Sequence, residues 1–423
     1  MHVGVIGAGI SGLIVTHELR KHGVDVTTFE ARERPGGIVQ SRIVDGHVLE
    51  LGPQRLRLVP SLSSLINELG LDNELRRGHE DYPLFIHHDD DLHVVPLSLR
   101  EVITTDLISF QGKVRALKEP FTPPQQPNES VDTFLTRKFG AEIARRWLGP
   151  LYSGLYGTDT DEMLMRYSLG RALNKADING SILLSGLQKV LKGRNTPPVY
   201  TLDSGLGTLT KQLYQVNSDT IELDTPVKSV QRQNGDYIIN TSTHETAVDE
   251  LVITTPANQA STFLRPCDSQ LADLLQQFNY NTIGMVFLKS PFDGEGIGTL
   301  VPSDSSVSIS GLTWNHSFLD RDRLFTAYVD TNSFPRMADA SDKELGEVAA
   351  TAFTDITGAP ASPITVHRWS PGMPAYDTSW TALDEISLPS NLHFCASFTD
   401  RPGIIGRVRN ASRLADILAD KQN

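Results

Sequence analysis

The start of the chain carries three successive patterns of apolar and polar positions. Residues 2–6 form a short apolar run that predicts a buried strand, residues 11–22 follow the spacing of a helix, and residues 24–30, rich in Val and Thr, predict a second strand. A glycine-rich turn separates the first strand from the helix. A strand, a helix and a second strand within about thirty residues are typical of a dinucleotide-binding half-site. The pattern therefore predicts an α/β domain at this end of the chain.

The rest of the chain alternates between helical and strand-like regions. Helical spacing predicts helices over residues 61–69, 99–117 and 130–148, the last with Ser130 as its N-cap. Strand-like segments occupy residues 82–86, 92–95, 199–202, 221–223, 227–232, 237–241, 250–254, 284–288 and 326–329. The chain ends with a strand over 392–396, a glycine turn and a helix over 407–418. Because each end carries a strand, a turn and a helix, we expect the two ends to meet on one sheet.

The composition limits the class of protein. The 423 residues exceed one typical core, and 39% hydrophobic with 21% charged residues is ordinary for a soluble globular protein. The net charge of −13, with no basic cluster longer than Arg145–Arg146, argues against nucleic acid as a partner. Cys267 and Cys395 are too few for a disulfide framework, so we expect a reducing, cytoplasmic compartment. No signal peptide or apolar run of about eighteen residues is recognisable.

The glycine turn after the first strand has the chemistry of an anion site. Gly7 permits the tight turn, Gly9 lets the backbone approach a pyrophosphate, and Gly12 lets the helix pack closely. Glu30, at the end of the second strand, is placed to accept hydrogen bonds from the ribose hydroxyls of an adenosine. A surface glutamate at a strand end is the alternative for Glu30. The strand, turn, helix and acid together predict binding of an adenine dinucleotide.

A second glycine pair indicates which dinucleotide is bound. The segment from Glu30 and Ala31 to Gly36–Gly37 resembles the second fingerprint of the amine-oxidase-like flavoproteins, in which the glycine backbone reaches FAD. A nicotinamide dehydrogenase does not need this pair. Many relatives place Arg or Lys directly after the pair, where this chain has Ile38. The resemblance implies that the cofactor is FAD.

Seven further motifs narrow the resemblance and cover nearly the whole chain. In this order they resemble motifs of protoporphyrinogen oxidases and of the coproporphyrinogen-oxidising members of that family. They are Glu50–Gln54, Glu129–Gly140, Gly154–Gly157 with Tyr167–Leu169 and Gly180–Ile182, Gly205–Leu209, Gly298–Pro302, Thr313–His316, and Arg368–Trp369 with Met373–Tyr376. The C-terminal end fits less well, because Ala396–Ser397 stands where the family has a glycine and the turn Arg401–Gly406 diverges.

The resemblance implies an α/β fold with a discontinuous Rossmann-type FAD-binding domain, a mixed α+β substrate domain and a helical insertion. The FAD-binding domain is expected over residues 1–59, 199–262 and 386–423, the substrate domain over 60–96 and 263–385, and the insertion over 97–198.

The resemblance also implies the residues of the two sites. The residues expected to bind FAD are Gly7, Ala8, Gly9, Ile10, Ser11, Gly12, Glu30, Ala31, Gly36, Gly37, Gly52, Pro53, Gln54, Val227, Trp369, Ser397, Ile404, Ile405, Gly406 and Val408. Val227 would contact the adenine through its backbone, and Ile404 to Gly406 would lie near the isoalloxazine. No side chain is expected to be catalytic, because the flavin N5 carries the chemistry.

The substrate side is predicted in less detail. Leu312 and Trp314 are candidates for the wall around a tetrapyrrole, with ordinary strand core as the alternative. Arg57 and Arg166, like Arg55, are candidates for binding its propionates, with solvated surface arginines as the alternative.

The implied activity is the FAD-dependent oxidation of coproporphyrinogen III or protoporphyrinogen IX to the porphyrin in haem biosynthesis, with hydride transfer to flavin N5 and molecular oxygen as acceptor. The Thr313–Trp314 motif and the lack of a membrane span favour coproporphyrinogen. The alternatives are an amine oxidase or carotenoid-type desaturase of the same superfamily, and a flavin-binding protein without turnover. The oligomeric state stays open.

Two further features have simpler interpretations. His87, His88 and His93 surround three aspartates, but their spacing matches no metal motif, so a polar hairpin tip is expected. Residues 99–117 resemble the helical region that seats some relatives on membranes, and an amphipathic helix over the substrate cavity is the alternative to such a peripheral contact.

Overall fold

Parallel strands from both ends of the chain meet in one five-stranded sheet, as the sequence predicts. The computed structural model describes residues 1–126, 128–178, 180–185, 197–331, 333–399 and 403–422. The sheet has the strand order Ile221–Glu222, Asp25–Phe29, His2–Ile6, Glu250–Ile253 and Leu392–Phe394. All four pairings are parallel. This sheet confirms the α/β class.

The chain divides into two compact units, each assembled from separate segments. The first comprises Met1–Arg77, Pro197–Phe278 and Ser379–Asn423, and the second comprises Gly78–Thr196 and Asn279–Thr378.

The first unit contains the five-stranded sheet and three smaller sheets. The smaller sheets pair Ser41–Val44 with His47–Glu50, Val199–Leu202 with both Leu56–Arg57 and Leu75–Arg77, and Asp236–Asn240 with both Ser229–Gln233 and Glu245–Val248. The helices are Ile10–Lys21, Pro60–Glu68, Gly207–Val216, Ala257–Leu264, Ser269–Gln276, Ala382–Glu385 and Ile404–Gln422. The helices Ile10–Lys21 and Ile404–Gln422 contribute buried side chains to one hydrophobic core with the sheet.

The second unit is built on a mixed seven-stranded sheet. Its strand order is Ser362–Pro374, Tyr280–Lys289, Leu324–Asp330, Gly311–Thr313, Gly298–Leu300, Leu84–His88 and Asp91–Val94. The helix Asp342–Thr357 closes one hydrophobic core against this sheet. The other helices are Leu99–Thr104, Phe110–Ala116, Val131–Phe139, Ala141–Ile143, the π-helical turn Ala144–Leu148, Gly149–Tyr156, Leu169–Lys175 and Asn315–Leu319.

The single helix predicted over residues 99–117 is wrong, because the chain forms two helices there. Ser98 and Glu101 form a capping box on the first, and Ser109 accepts a hydrogen bond from the Gly112 N–H at the start of the second. The Ser109 cap begins a new helix, so it marks the break between the two. The apolar spacing hides the break because Leu107 and Ile108, between the helices, are buried.

Two smaller predictions also need correction, and one strand is additional. The strand expected from residue 227 begins at Ser229, and the strand Glu245–Val248 was not predicted. His87 belongs to a strand and is 3% exposed, so the polar hairpin tip consists of Asp89 and Asp90 with positive φ angles.

The compact units differ from the boundaries drawn in the sequence. Residues 60–77, expected in the substrate domain, belong to the first unit because Leu62, Leu65 and Ile66 of the helix Pro60–Glu68 lie in its core. Residues 263–278 and 379–385 also belong to the first unit. Most of the helical segment 97–198 groups with the sheet of the second unit. The assignment of cofactor and substrate roles to the units stays a prediction.

No helix within the described residues is both long enough and apolar enough to cross a bilayer.

Candidate functional site

The glycine turn at the carboxyl end of the strand His2–Ile6 leads directly into a helix. Gly9 is the N-cap of the helix Ile10–Lys21 and supplies no capping side chain. Helix N–H groups of the first turn have no partner within the helix, so they are donors for an anion. A Cβ on Gly12 would stand 1.9 Å from the Gly7 carbonyl oxygen. Glycine is therefore required at position 12 by the approach of helix and turn.

Glu30 lies beside this turn. Its carboxylate accepts hydrogen bonds from the Ala8 N–H at 2.7 Å and from the Arg32 N–H at 3.1 Å. A carboxylate has about four acceptor positions, so these bonds leave capacity for a ribose hydroxyl. The Thr225 N–H donates to the Glu30 carbonyl at 2.8 Å, which brings the segment leading to Val227 next to Glu30 and Ala31.

The second glycine pair packs against the first turn. The Gly36 N–H donates to the Ala8 carbonyl at 2.8 Å. Gly36 and Gly37 have φ angles of +106° and +59°, a region that favours glycine. A Cβ on Gly37 would approach the Gly9 Cα to 3.1 Å. The structure therefore brings together the two motifs that the sequence assigned to FAD.

The loop that contains Gly52, Pro53 and Gln54 borders the second glycine pair. A Cβ on Gly52 would stand 2.0 Å from the Ile38 carbonyl oxygen, so the two backbones touch. The Gln54 side-chain amide donates to the carbonyls of Glu50 at 3.0 Å and Gly52 at 3.2 Å. These bonds fix the loop.

A buried carboxylate connects this loop to the turn Gly205–Leu209. Glu50, which is 3% exposed, accepts hydrogen bonds from the Leu206 N–H at 2.8 Å and the Ser41 hydroxyl at 2.6 Å. The Ser41 hydroxyl in turn accepts from the Gly207 N–H at 2.8 Å. Glu50 and Ser41 therefore fix the start of the helix Gly207–Val216 against the loops around the glycine pair.

The C-terminal helix begins at the same edge of the sheet. It spans Ile404–Gln422 and follows the strand Leu392–Phe394 through Ser397. The side chains of Ile404 and Val408 lie in the core, so only their backbone is available to a ligand. Arg401 and Pro402 of the divergent turn lie outside the described residues. The buried Arg407 donates from Nη1 to the Ala396 carbonyl.

The geometry of this edge fits a dinucleotide. Among the described residues, a Cβ on Gly9 would meet only the Gly37 Cα, at 3.8 Å, so the space before the turn is open. That space faces an uncapped helix start at the carboxyl end of a parallel sheet, the usual position of a bound dinucleotide. The individual FAD contacts remain predictions.

Sequence reasoning missed three residues that shape this edge. The Thr254 hydroxyl donates to the Gly7 carbonyl at 2.8 Å, and Glu50 and Ser41 link the glycine-pair loops to the helix Gly207–Val216. A threonine directly after the strand Glu250–Ile253 is a weak signal for such a role. Leu206 and Gly207, which donate to Glu50 and Ser41, lie more than 150 positions away in sequence, and no local pattern reveals them.

Leu312 and Trp314, the predicted walls for the substrate, lie in the core of the second unit. They are 4% and 2% exposed. The Trp314 ring stacks on Phe85 at 5.1 Å and meets Phe292 edge-to-face at 5.2 Å. Both side chains therefore have the core role that the sequence left as the alternative, and this packing does not support a substrate wall.

The remaining predicted residues lie in both units. Trp369 belongs to the second unit, where its ring meets His367 edge-to-face at 4.7 Å. The Arg166 guanidinium lies 4.6 Å from the centre of the Tyr167 ring, and Arg171 lies 5.6 Å from the same centre. Arg57 belongs to the first unit and donates to the Pro197 carbonyl at 2.7 Å. Their roles toward a ligand stay predictions.

Two sequence motifs of the second unit adjoin each other. The rings of Tyr156 and Tyr376 meet edge-to-face at 4.9 Å, and a Cβ on Gly157 would lie 3.1 Å from the Met373 sulfur. Nearby in sequence, burial raises the pKa of Asp159 to about 6, and the carboxylates of Asp161, Asp330 and Glu162 act in the same direction.

His87 is the buried histidine of the predicted polar hairpin. Burial lowers the pKa of its imidazole, although Asp90, Asp355 and Asp91 act in the opposite direction. Neither ring nitrogen has a hydrogen-bond partner in the part of the chain that the structure describes. Across the same part, no cluster of three or more His, Cys, Asp or Glu residues could hold a metal ion.

Comparison with known proteins adds the chemical class. The model of a family described as flavin containing amine oxidoreductase matches residues 10–415. The chloroplastic protoporphyrinogen oxidase of Nicotiana tabacum is 27% identical over 384 residues, which cover 81% of this chain and 70% of the relative. The coproporphyrinogen III oxidase of Staphylococcus aureus is 27% identical over 418 residues, which cover 88% of each protein.

Solved structures show the same fold. A protein from Exiguobacterium sp. 255-15, whose name ascribes to it protoporphyrinogen oxidase activity, matches with a TM-score of 0.81 and 23% identity, covering 99% of both chains. Cyclohexylamine oxidase from Brevibacterium oxydans matches with a TM-score of 0.73 and 17% identity, covering 100% of this chain and 99% of the other. At these identities the likeness shows the fold.

Proposed function

We propose a specific activity for this chain, which belongs to the family of flavin containing amine oxidoreductases. It oxidises a porphyrinogen, coproporphyrinogen III or protoporphyrinogen IX, to the porphyrin, and molecular oxygen is the acceptor. The observation that carries the proposal is the similarity to oxidases of both substrates over most of the chain. The similar proteins include both protoporphyrinogen oxidases and coproporphyrinogen III oxidases. The choice between the two substrates therefore needs an experiment.

The chain is an FAD-dependent oxidoreductase, and its carboxyl-edge residues are the ones we assign to the cofactor. The first turn of the helix Ile10–Lys21 would hold the pyrophosphate, Glu30 the ribose, and the loop Gly52–Gln54 with the start of the helix Ile404–Gln422 the flavin. When bound, FAD would supply an acceptor for hydride equivalents at N5, with oxygen as the final acceptor. Glu50, Ser41 and Thr254 keep these segments in place.

The propionate carboxylates of the tetrapyrrole need cations, and Arg166 is our candidate in the second unit. Its guanidinium and that of Arg171 both lie over the Tyr167 ring. Two guanidinium groups near one ring concentrate positive charge that suits a carboxylate. Arg57, whose guanidinium donates to the Pro197 carbonyl, is the candidate in the first unit.

The test is porphyrin fluorescence after the purified, FAD-loaded protein is mixed in air with each porphyrinogen. A rise above that of heat-inactivated protein, with oxygen consumed, supports the proposal, and the faster substrate identifies the activity. Bound flavin that dithionite bleaches but neither porphyrinogen reduces would overturn it. That result would favour an amine oxidase, a desaturase or a flavin-binding protein without turnover.

The variant Gly9→Ala separates cofactor binding from folding. The new methyl group fits the apoprotein, since its nearest neighbour is the Gly37 Cα at 3.8 Å, but it occupies the space assigned to the pyrophosphate. We expect an unchanged melting temperature of the apoprotein and FAD binding weakened by at least about tenfold. Unchanged FAD affinity would remove the pyrophosphate from this turn.

A peripheral membrane contact is a second element of the proposal. Phe110, Val114, Leu117 and Phe121 repeat at helical spacing and are 80%, 45%, 69% and 90% exposed. Residues 107–118 carry three cations and no acid in a chain of net charge −13. Such a surface suits an anionic bilayer. Flotation with anionic vesicles should recover the wild type but not F110S/F121S, and equal recovery of both would exclude this surface. Otherwise we expect the protein in the cytoplasm.

A further inference from the structure

Gln40 is a buried polar side chain close to the second glycine pair. It is 7% exposed, and its Nε2 donates to the Gly37 carbonyl. Its backbone carbonyl accepts a hydrogen bond from the Leu51 N–H at 2.8 Å. Gln40 is therefore bonded both to the glycine pair and to the segment that leads into the loop Gly52–Gln54.

The oxygen of the same side-chain amide is orphaned. Oε1 of Gln40 is buried and has no hydrogen-bond partner within the described part of the chain. The bond from Nε2 fixes the orientation of the amide, because the flipped amide would place its oxygen against the Gly37 carbonyl. Native proteins satisfy nearly all buried acceptors, since an unsatisfied one is costly. This oxygen therefore indicates a ligand that carries a hydrogen-bond donor.

A second polar atom at this edge also lacks a partner. The Thr255 hydroxyl is buried and has none among the residues that the structure describes. A Cβ on Gly7 would lie 3.0 Å from the Thr255 Cγ2, so Thr255 adjoins the first glycine turn. Two orphaned atoms from distant segments thus lie beside the two glycine motifs, and a polar ligand at this edge accounts for both.

The chemistry of an amide oxygen selects the part of FAD that it can meet. The oxygen only accepts hydrogen bonds, so it cannot bind a pyrophosphate, which has no donor. The ribityl chain of FAD carries hydroxyl donors and joins the pyrophosphate to the isoalloxazine. Gln40 is bonded to both corresponding segments, because Gly37 adjoins Gly9 of the pyrophosphate turn and Leu51 precedes the loop that we assign to the flavin.

We propose that Oε1 of Gln40 accepts a hydrogen bond from one hydroxyl of the ribityl chain of FAD. This inference rests on the proposed placement of FAD along the carboxyl edge of the five-stranded sheet, and it does not depend on which substrate the flavin oxidises. Gln40 is a binding residue. Its bond would hold the chain that connects the isoalloxazine to the pyrophosphate.

The test compares FAD with 2′-deoxy-FAD, 3′-deoxy-FAD and 4′-deoxy-FAD, each of which lacks one ribityl hydroxyl. The holoprotein is dialysed against a mixture of FAD and one analogue, and chromatography of the bound flavins gives the ratio of the two affinities. A general loss of stability weakens the binding of both flavins equally. The ratio therefore reports the hydroxyl contact alone, without any measurement of turnover.

Q40M removes the amide and keeps an apolar side chain of similar length. Q125M is the matched control, because Gln125 of the second unit also has a buried amide oxygen without a partner in the described residues. We expect one analogue to bind the wild type at least about tenfold more weakly than FAD, since its loss leaves the Gln40 oxygen unsatisfied. This difference should disappear in Q40M and persist in Q125M.

Two results would overturn the inference: a wild type that binds all three analogues as tightly as FAD, or a Q40M variant that discriminates against the same analogue as strongly as the wild type. If Q40M retains no FAD, Q40E decides, because a carboxylate keeps the acceptor and lacks the Nε2 donor. Retention of FAD by Q40E supports the role of the oxygen. Loss of FAD from Q40E assigns the effect to the bond with the Gly37 carbonyl and overturns it.

The variant Gly9→Ala keeps this test separate from the proposed placement of FAD. If Gly9→Ala weakens FAD binding while the wild type does not discriminate against any analogue, only the role of Gln40 fails. If Gly9→Ala leaves FAD binding unchanged, the placement fails and the inference fails with it. Absence of porphyrinogen turnover removes the proposed substrate and leaves the Gln40 contact untouched.

Discussion

Two carboxylates of the second unit lie in regions with opposite electrostatics. Glu119 is completely buried, and burial alone would raise its pKa, but hydrogen bonds from the Ser181 hydroxyl and the Ile182 N–H, with the Lys138 ammonium at 3.1 Å, bring its pKa below the ordinary value. Asp159 is partly buried, and its burial together with the carboxylates of Asp161, Asp330 and Glu162 raises its pKa to about 6. At Glu119 the donors and the cation therefore offset the effect of burial, whereas at Asp159 the neighbouring carboxylates add to it.

The largest expected effect comes from breaking the pair at Glu119. K138M leaves a carboxylate with 0% exposure without its cation, so we expect the free energy of unfolding of this unit to fall by about 3–5 kcal/mol. Hydrogen exchange of peptides from residues 110–140 measures the loss. R146M is the control, because Arg146 forms a surface pair with Glu142 at 3.6 Å and should cost at most about 1 kcal/mol.

The double variant E119Q/K138M sharpens the same point. It removes both charges, so it should be more stable than K138M alone although it lacks the ion pair. If the double variant were as unstable as K138M, side-chain packing and not the charge would explain the loss. If K138M lost no more stability than R146M, the buried pair of Lys138 and Glu119 would matter no more than the surface pair of Arg146 and Glu142.

The next expected effect is a gain in stability, and it comes from replacing Asp159. The pKa of this carboxyl is about 6 in the folded protein and near 3.8 when unperturbed. The folded state therefore holds the proton where the unfolded state has lost it, and stability falls as the pH rises from about 4 to about 6. D159N removes this cost, so above pH 6 it should be more stable than the wild type by about 1–2 kcal/mol, after a discount for partial exposure.

Thermal unfolding of D159N and wild type across the pH range checks this sign. The difference in stability should be constant above pH 6 and shrink as the pH is lowered towards 5. D161N is the control, since Asp161 is exposed and removes only one of the neighbouring charges. A D159N variant that is less stable than the wild type at pH 8 would show that Asp159 has a donor that outweighs its neighbours.

Contacts between residues that are near in sequence could be predicted from the sequence, and contacts between distant segments could not. Gly7 to Gly12 and Glu30 were predicted because a turn, a helix start and a strand end are local in sequence, and the structure places the turn beside Glu30. The hydrogen bond from Ser181 to Glu119 and the approach of Asp330 to Asp159 depend on segments that fold together from distant positions. The same limit applies to Trp314, whose burial depends on Phe85 and Phe292.

The smallest expected effect tests one donor of Glu119. The Ser181 hydroxyl donates to this carboxylate and also accepts from the Leu184 N–H at 3.1 Å. S181A removes both bonds, so we expect a loss of about 1–2 kcal/mol, measured by hydrogen exchange of residues 180–185. S181T, which keeps the hydroxyl, should retain most of the stability.

The pH dependence of S181A identifies which bond matters. A carboxylate with a lowered pKa stabilises the folded state above its unfolded pKa near 4.5, and this contribution disappears as the pH falls through the folded pKa. The loss of stability caused by S181A should therefore have its full size at neutral pH and become smaller as the pH is lowered. A loss independent of pH would assign the effect of Ser181 to the Leu184 N–H, and Lys138 and Ile182 would then be left to hold the anion at Glu119.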